Sequence, residues 1–254
     1  MTTATERLGA LGRAELTLLV RNRTTMFVAL LMPVMMVGAM KASLDQVDLG
    51  GSGMNVVEAA MSGGIVMVLI LVVYLNLVAV YVARREELVL KRLRTGEASD
   101  PEILSGAALP SAVIALAQCA VLVVAGTAFL DMGGPERPGL LVAGVLLGTV
   151  LLTLLAAATA ALTRSVESAQ VTTMPLFMVS AIGSGLFVPL DVLPERIATV
   201  LELLPVSGVM TLVRAGWLGG GDTGELVGAA LTVLAWTVIS VFAVRRWFRW
   251  EPRR

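Results

Sequence analysis

Apolar residues in this chain fall in long blocks, without the alternation of a half-buried strand or the single polar face of a soluble helix. Each block is about 17–25 residues long, which is the length a helix needs to cross a hydrocarbon layer of about 30 Å. The pattern therefore predicts an all-α membrane protein that crosses the bilayer six times. The predicted spans are 24–40, 60–83, 105–130, 139–162, 171–189 and 226–244.

Polar segments between the blocks are short. None exceeds about 40 residues, the size below which a chain rarely folds alone without disulfides or metals. The prediction is one membrane domain over 1–254 with no separate soluble domain. The polar segments are an N-terminal arm at 1–23, a charged loop at 84–104, a segment at 190–225 before the last span and a basic tail at 245–254.

The charged residues indicate on which side of the membrane each loop and terminus lies. Hydrophobic residues make up 57% of the chain and charged residues only 15%, against about 45–50% and 25% in soluble domains. Fifteen of the nineteen lysines and arginines lie in the arm, the 84–104 loop, the 163–170 loop and the tail. Basic residues gather in cytoplasmic loops, so both termini are predicted to be cytoplasmic, which requires an even number of spans.

Several functions are disfavoured by what the sequence lacks. The net charge is zero, which gives no indication of nucleic-acid binding, and there is no histidine to act as a base or metal ligand. The one cysteine, Cys119, lies in an apolar run and is interpreted as a small buried hydrophobe. Neither lysine, Lys41 or Lys91, stands in a phosphate-binding loop motif, so any ATP is expected to be hydrolysed by another protein.

The interiors of the spans carry essentially no ionisable residue, which disfavours an ion-coupled transporter. An intramembrane enzyme is disfavoured for lack of acid–base residues at that depth. Asn76, Gln118 and Gln170 are candidates to line a path through the bundle. Gly144 and Gly148 predict a close helix approach, either within the subunit or to a twin. A non-transporting membrane scaffold or immunity protein stays open as an alternative.

The 84–104 loop is dense in charge of both signs, with the apolar residues Leu88, Leu90 and Leu93 inside it. It predicts a short helix with acids at its start and bases at its end, stopped by Gly96. Ser99 and Glu102 then form a capping box for the next helix, with Pro101 in its first turn. The loop is either a solvated connector or a docking element for a soluble cytoplasmic partner.

The segment before the last span contains two apolar pieces, each too short to cross the bilayer. Its prolines interrupt helical hydrogen bonding and force turns. Two short helices dipping into the outer leaflet over a transport path are predicted, with a surface amphipathic loop as the alternative. The mildly amphipathic arm at 5–22 is either an interfacial helix or a solvated entry arm.

Three regions of the chain carry a resemblance to a known family. They are Arg21-Asn22-Arg23 ahead of a span with Pro33; Arg85-Glu86-Glu87 with Leu90, Leu93-Arg94, Ser99 and Glu102-Ile103-Leu104; and Gly185-Leu186-Phe187-Val188-Pro189 with Leu193-Pro194, Leu204-Pro205 and Arg214. In order and spacing they resemble the permeases of type-2 ATP-binding cassette exporters, the group that holds drug-resistance and polysaccharide exporters. The likeness spans nearly the whole chain.

The resemblance implies roles for these regions. The 84–97 segment would be a coupling helix seated on the ATPase, and the 190–214 segment would be an extracellular re-entrant hairpin. The arm would be the interfacial connecting helix. The coupling contacts would be Arg85, Glu86, Glu87, Leu90, Leu93 and Arg94. The hairpin residues would be Phe187, Pro189, Pro194 and Pro205.

The resemblance also implies an assembly. Two permease subunits, identical or different, would pair with two cassette ATPases in the bacterial plasma membrane. ATP and magnesium would bind the partner, and this chain would hold no cofactor. The expected function is export of a hydrophobic or amphipathic compound. The second region departs from the usual family sequence at two sites. The family usually has Gly-Thr where this chain has Leu88-Val89, and it usually has Thr-Pro near the position of Gly96-Glu97.

Overall fold

The protein is helical throughout the part that its structure, a computed structural model, describes: residues 53–96, 99–130, 133–184 and 194–251, with 13, 17, 27, 31–35, 37–39 and 42. No strand occurs among these residues. The helices are α1 Gly53–Val68, a π-helix Leu69–Leu75, α2 Asn76–Glu86, α3 Val89–Arg94, α4 Asp100–Phe129, α5 Pro138–Leu162, α6 Val166–Gly183, α7 Glu195–Glu202, α8 Ser207–Leu218 and α9 Thr223–Trp247.

Four helical segments of the described chain are long and apolar enough to cross a membrane. They are Ala60–Glu86, Asp100–Phe129, Pro138–Leu162 and Thr223–Trp247. These confirm the predicted spans at 60–83, 105–130, 139–162 and 226–244 and extend each at one or both ends. The multi-pass, all-α architecture therefore holds.

The other two predicted spans are not among these four segments, so the predicted count of six spans is not confirmed. The span predicted at 171–189 corresponds to α6, which ends at Gly183 and is only 18 residues long. Its first turns include the polar residues Glu167 and Gln170, which lower the hydropathy of the whole helix below that of a spanning segment. Of the span predicted at 24–40, residues 27, 31–35 and 37–39 are described and helical, and the others lie outside the described residues.

The chain runs back and forth between two ends of the bundle. α2 leads into α3 and α4 begins beside it, so this is named the α3 end. α5 returns to the α3 end, where α6 begins, and α9 finishes there. The opposite end, where α8 ends and α9 begins, is named the α8 end.

Helix α5 forms the centre of the packing. It contacts α8, α9, the π-helix and α2. Its sequence explains this position, because small residues recur along it and let neighbouring backbones approach closely. Gly144, Gly148 and Ala156 are all buried. A Cβ at Gly144 would lie 3.2 Å from the Val213 nitrogen in α8. The close approach predicted for Gly144 and Gly148 is therefore made within the subunit.

A π-helix of seven residues interrupts the first long span. Its wider turn is accompanied by polar contacts to two neighbouring helices. The Tyr74 hydroxyl lies 3.2 Å from the Thr159 hydroxyl of α5. Directly after the π-helix, Asn76 Nδ2 donates to Ser111 Oγ of α4 at 2.9 Å. Short π segments often occur at functional sites. Here the segment places Tyr74 inside the apolar bundle, and the exposed Asn76 follows it.

The two short helices predicted before the last span are present as α7 and α8. α8 lies along the half of α5 that is nearest the α8 end: Gly216 contacts Leu141, and a Cβ at Gly148 would lie 2.7 Å from Val209 Cγ1. With a rise of about 1.5 Å per residue, Gly148 lies about 15 Å along α5 from its first residue. The start of α8 is therefore level with the middle of the central helix.

Candidate functional site

The turn between α2 and α3, Glu86–Leu88, is named the α2–α3 corner. α2 ends at Glu86 and Glu87 is its C-terminal cap. Leu88 adopts a left-handed conformation, φ 60° and ψ 14°, and α3 then runs for six residues. The prediction of a short helix that begins with the two acids is therefore wrong. The acids end α2, because the left-handed residue breaks the helix directly after them.

Arg85 lies inside the bundle, with 1% of its surface exposed. Its Nη1 donates to the Ala160 carbonyl at 2.8 Å. Its Nη2 donates to the Thr163 carbonyl at 2.6 Å and approaches that of Arg164 at 3.3 Å. These are the last carbonyls of α5 and the turn into α6, which have no partner within the helix. A guanidinium suits them by charge as well as by geometry.

This position changes the role of Arg85. It was expected to contact an ATPase, but its side chain has almost no surface for a partner. It instead joins the α2–α3 corner to the α5–α6 turn. We name these hydrogen bonds of Arg85 to the Ala160, Thr163 and Arg164 carbonyls the Arg85 clamp. Leu90 is also fully buried, and Leu93 is half-buried. These leucines attach α3 to the bundle.

The remaining expected contacts lie on the surface of the corner and α3. Glu86, Glu87 and Arg94 are exposed. Leu88, at the turn itself, is 38% exposed. Lys91 and Arg92 are exposed on α3 as well. The result is an exposed surface with acids and a leucine at one end and bases at the other.

The connection from α3 to α4 follows the sequence prediction. α3 ends at Arg94, and Thr95 and Gly96 form the turn. Arg94 Nε donates to Asp100 Oδ1 at 3.0 Å. The capping box is present, with the Ser99 nitrogen donating to Glu102 Oε2 at 2.6 Å. The position of α3 is thus fixed at both of its ends.

The start of α6, where the Arg85 clamp binds, is ordered by a second capping motif. The Ser168 nitrogen donates to Ser165 Oγ at 3.3 Å, and the Ser165 nitrogen donates to Ser168 Oγ at 3.0 Å. Hydrogen bonds from its own backbone N–H and from the Ser165 side chain hold the pKa of the exposed Glu167 carboxyl below its usual value. A negative charge in the first turn also suits the helix dipole.

The tail after α9 contacts α3, a feature that the sequence analysis missed. Lys91 Nζ lies 2.8 Å from Glu251 Oε1. The Arg94 guanidinium lies 4.9 Å from the centre of the Trp250 ring. No periodic pattern marks residues 248–251, and their partners are distant in sequence, so only the basic and aromatic character of the tail was visible.

The three path candidates lie on different helices and at different heights. Asn76 is exposed, Gln118 is buried and Gln170 is exposed. Counting about 1.5 Å per residue, they lie about 15, 27 and 6 Å from the α3 ends of their helices. The structure therefore does not bring them together. Asn76 already donates to Ser111, and each candidate would have to act separately.

Of the expected hairpin residues, Pro194 and Pro205 are described, whereas Phe187 and Pro189 lie outside the described residues. Pro194 is exposed and caps α7. Pro205 is buried in the turn between α7 and α8. Ser207 Oγ then donates to the Gly183 carbonyl of α6 at 2.8 Å and the Leu201 carbonyl of α7 at 2.6 Å.

The loop after α8 is joined to the loop before α5. Arg137 Nη1 donates to the Gly220 carbonyl at 3.0 Å, and the Glu136 nitrogen donates to the Trp217 carbonyl at 3.2 Å. Gly219 has φ 72° and contacts the Glu136 carboxylate. Glycine is favoured there because φ 72° with ψ −158° is a backbone conformation that residues with a Cβ rarely adopt. The α8 end is thus closed by hydrogen bonds to backbone carbonyls, one from the Glu136 backbone and one from the Arg137 side chain.

The comparison with known families agrees with this architecture. The family model described as ABC-2 family transporter protein matches residues 32–244. The chain belongs to the ABC-2 transporter family. A search of curated proteins found no match. The match covers three of the four long apolar helices completely, most of the fourth, α9, and also the corner and α3.

Family membership establishes the general role of the chain. An ABC-2 protein is a multi-pass membrane component of a transporter, and such components generally work with an ATPase subunit. The resemblance noted in the sequence is therefore confirmed. The α2–α3 corner, the Arg85 clamp and α3 lie inside the matched region.

Proposed function

We propose that this chain is the permease subunit of an ATP-binding cassette exporter, driven by separate cassette ATPases that dock on the α2–α3 corner. One observation carries the proposal: the corner and α3 present charged side chains outward, yet buried residues attach them to the bundle. Glu86 and Glu87 are exposed, while Arg85 and Leu90 are buried beside them. A solvated connector would need no such anchoring.

The charge pattern indicates what the partner surface must offer. Acids lie at the corner and the bases Lys91, Arg92 and Arg94 follow along α3. A cleft with basic residues facing the corner and acidic residues facing α3 would be complementary and would fix the orientation of docking. Leu88, 38% exposed between the two charged groups, supplies an apolar contact.

The Arg85 clamp supports a route by which docking affects the bundle. When the cassettes close on ATP, a displaced corner moves Arg85, and the three carbonyls bound to it move with it. The start of α6 and the end of α5 would follow. α5 packs against α8, which would bring the motion to the far end of the bundle.

At that far end we propose that α7 and α8 form a re-entrant hairpin on the external side. Their level beside the middle of α5 supports this, and so does the excess of basic residues at the α3 end, which favours a cytoplasmic location for it. Helices that stop within the bilayer are tolerated when buried in protein. The hairpin would lie over the exit, with both termini in the cytoplasm.

A hydrophobic or amphipathic cargo fits the interior best. Among the described residues, the buried charged side chains are Arg85 and Glu102, and both lie at the α3 end. Between them and the α8 end the fully buried polar side chains are neutral, such as Gln118, Thr149 and Thr173. The half-buried Arg214 of α8 adds one charged group there, with its Nε atom buried. A highly charged cargo would find little compensation there, so a reconstituted complex that moved only a charged polymer would contradict this assignment.

The docking role is tested by reversing the charge of the corner. The chain is purified with candidate cassette ATPases, and association and ATP hydrolysis are measured for the Glu86→Lys, Glu87→Lys double variant. Like charges brought together at an interface cost several kcal/mol, so we expect at least about a tenfold loss of association. Membrane insertion should be unchanged.

The matched control is Glu225→Lys, an exposed acid at the opposite end of the bundle, which should leave the ATPase unaffected. Normal association and turnover in the corner variant would contradict docking there. If the wild-type chain associates with no cassette ATPase, the permease assignment itself fails and a non-transporting scaffold or immunity protein becomes the better explanation.

A further inference from the structure

The chain does not continue along the axis of α9 but turns at its end. α9 stops at Trp247, and Phe248 adopts φ −64° and ψ 126°, an extended conformation. Residues 248–251, which we name the tail strap, then run against α3. Because α3 and α9 are far apart in sequence, this contact joins two elements that no short loop connects.

An aromatic series leads from the bundle to α3 through the strap. The Tyr81 and Phe248 rings are 6.3 Å apart at 83°, and the Phe248 and Trp250 rings are 5.1 Å apart at 71°. Both are edge-to-face arrangements, which stabilise beyond the area they bury. Tyr81 is itself fixed, because its hydroxyl donates to the Leu104 carbonyl of α4 at 3.0 Å.

Two charged residues of α3 bind the far part of the strap. The Arg94 guanidinium lies over the Trp250 ring at 4.9 Å, within the range of a cation–π contact. Lys91 forms its ion pair with Glu251 at 2.8 Å, but the two side chains are 51% and 66% exposed, so the pair alone contributes little. The aromatic contacts hold the strap, and the ion pair sets its register.

We propose that the tail strap is a second mechanical link from the docking helix, joining α3 to α9 as the Arg85 clamp joins the corner to α5 and α6. The inference rests on the proposed function, because it concerns how docking at α3 moves the bundle. Trp250 is a positioning residue in this arrangement. When α3 is displaced, the strap draws the end of α9 with it.

The test follows the distance between α5 and α9 in the complete complex with its cassette ATPases. Spin labels are placed at Leu162→Cys and Val238→Cys, which are 61% and 68% exposed, in a background with the buried Cys119 changed to alanine. The distance is measured without nucleotide and with ATP trapped by vanadate. The wild-type complex should show a nucleotide-dependent change.

Trp250→Ala and a chain ending at Trp247 should each reduce that change by half or more, while association with the ATPase is retained. Lys91→Glu should reduce it to a smaller extent, and adding Glu251→Lys should restore it. The matched control is Trp247→Ala, since Trp247 is exposed and contacts Phe242, a residue of its own helix, at 6.4 Å. Its distance change should equal that of the wild type.

The outcomes separate the two proposals. If the complex forms and the distance change is the same in Trp250→Ala and in the shortened chain as in the wild type, the strap is not a link and only this inference fails. If the wild-type chain forms no complex, or its distance does not respond to ATP, the proposed function fails and the strap inference with it. Should the shortened chain not fold, Trp250→Ala and the charge exchange still decide the question.

Discussion

At the α3 end, helices are joined by side chains that reach across from one element to another, whereas at the α8 end they are joined by backbones in direct contact. Arg85 binds carbonyls of α5, and Lys91 pairs with Glu251 of the tail. Near the α8 end, in contrast, a Cβ at Gly216 would lie 2.6 Å from Leu141 Cα. At the start of α8, level with the middle of α5, a Cβ at Gly208 would lie 2.5 Å from the Ala229 carbonyl oxygen.

The difference bears on how each end can move. At the α3 end, the exposed Lys91–Glu251 pair can exchange with water, which permits small shifts around the contacts of the strap and of the buried Arg85 side chain. Closely packed backbones have no such freedom, because interiors at this density transmit displacement instead of absorbing it. We therefore expect α5, α8 and α9 to move as one body at the α8 end, while rearrangement is concentrated around α3.

The largest effect is expected from widening a backbone contact at the α8 end. Gly216→Ala places a methyl group against the backbone of Leu141, which cannot move aside as a flexible side chain would. Overpacking of this kind costs about 1–3 kcal/mol, and a backbone contact should fall at the upper limit. Thermal unfolding of the purified chain in detergent, followed by tryptophan fluorescence, measures the loss.

The control for this prediction lies on a neighbouring helix. Gly228 of α9 has nothing within 4 Å of its Cβ position, so Gly228→Ala should be tolerated and gain up to about 1 kcal/mol from helix propensity. Equal unfolding temperatures for the two variants would contradict the description of the α8 end as a seam of backbone contacts.

A smaller loss is expected at the α3 end from Arg85→Met. It leaves the carbonyls of Ala160, Thr163 and Arg164 without their donor, but they lie near a helix end where water can enter. Unpaired buried groups cost about 1–3 kcal/mol, and we expect about 2 kcal/mol here. The same unfolding measurement applies, together with ATP-driven movement of α5 in the complex.

Two controls sharpen this second prediction. Arg85→Lys should recover only part of the stability, because an ammonium lacks the fork that reaches several carbonyls together. Arg84→Met, at the half-buried neighbouring position, should have less effect than Arg85→Met. If Arg85→Met unfolds at the temperature of the wild type, the clamp does not stabilise the α3 end.

Much of the fold followed from local patterns in the sequence. Apolar block length predicted the four long helices, since the cost of leaving backbone groups unpaired in lipid admits little else. The spacing from Ser99 to Glu102 predicted the capping box, and Pro205 correctly divided α7 from α8. In each case the physical cause lies within a few residues along the chain.

The site was predicted less well because its contacts are not local. Arg85 and Glu86 are adjacent charged residues in the same loop, yet one is buried and the other exposed. The two side chains leave α2 in directions about 100° apart. That angle predicts which of them is buried only when it is known that the end of α5 lies on the Arg85 side. The tail strap was missed for the same reason, since its partners lie on α3.

The smallest effect is expected at Leu88, where one departure from the family pattern acquires a physical meaning. The family usually has glycine at this position, and the structure shows a left-handed residue there, φ 60°. A left-handed conformation costs a residue with a Cβ about 1–2 kcal/mol, and glycine loses about 0.5–1 kcal/mol of that advantage through its greater freedom when unfolded. Leu88→Gly should therefore raise stability by about 0.5–1 kcal/mol.

The control is Leu88→Ala, which keeps the strain and removes the same side chain, so it should not raise stability. Chemical denaturation of the two variants side by side measures the difference. An alanine variant as stable as the glycine variant would mean that the corner relaxes out of the left-handed region.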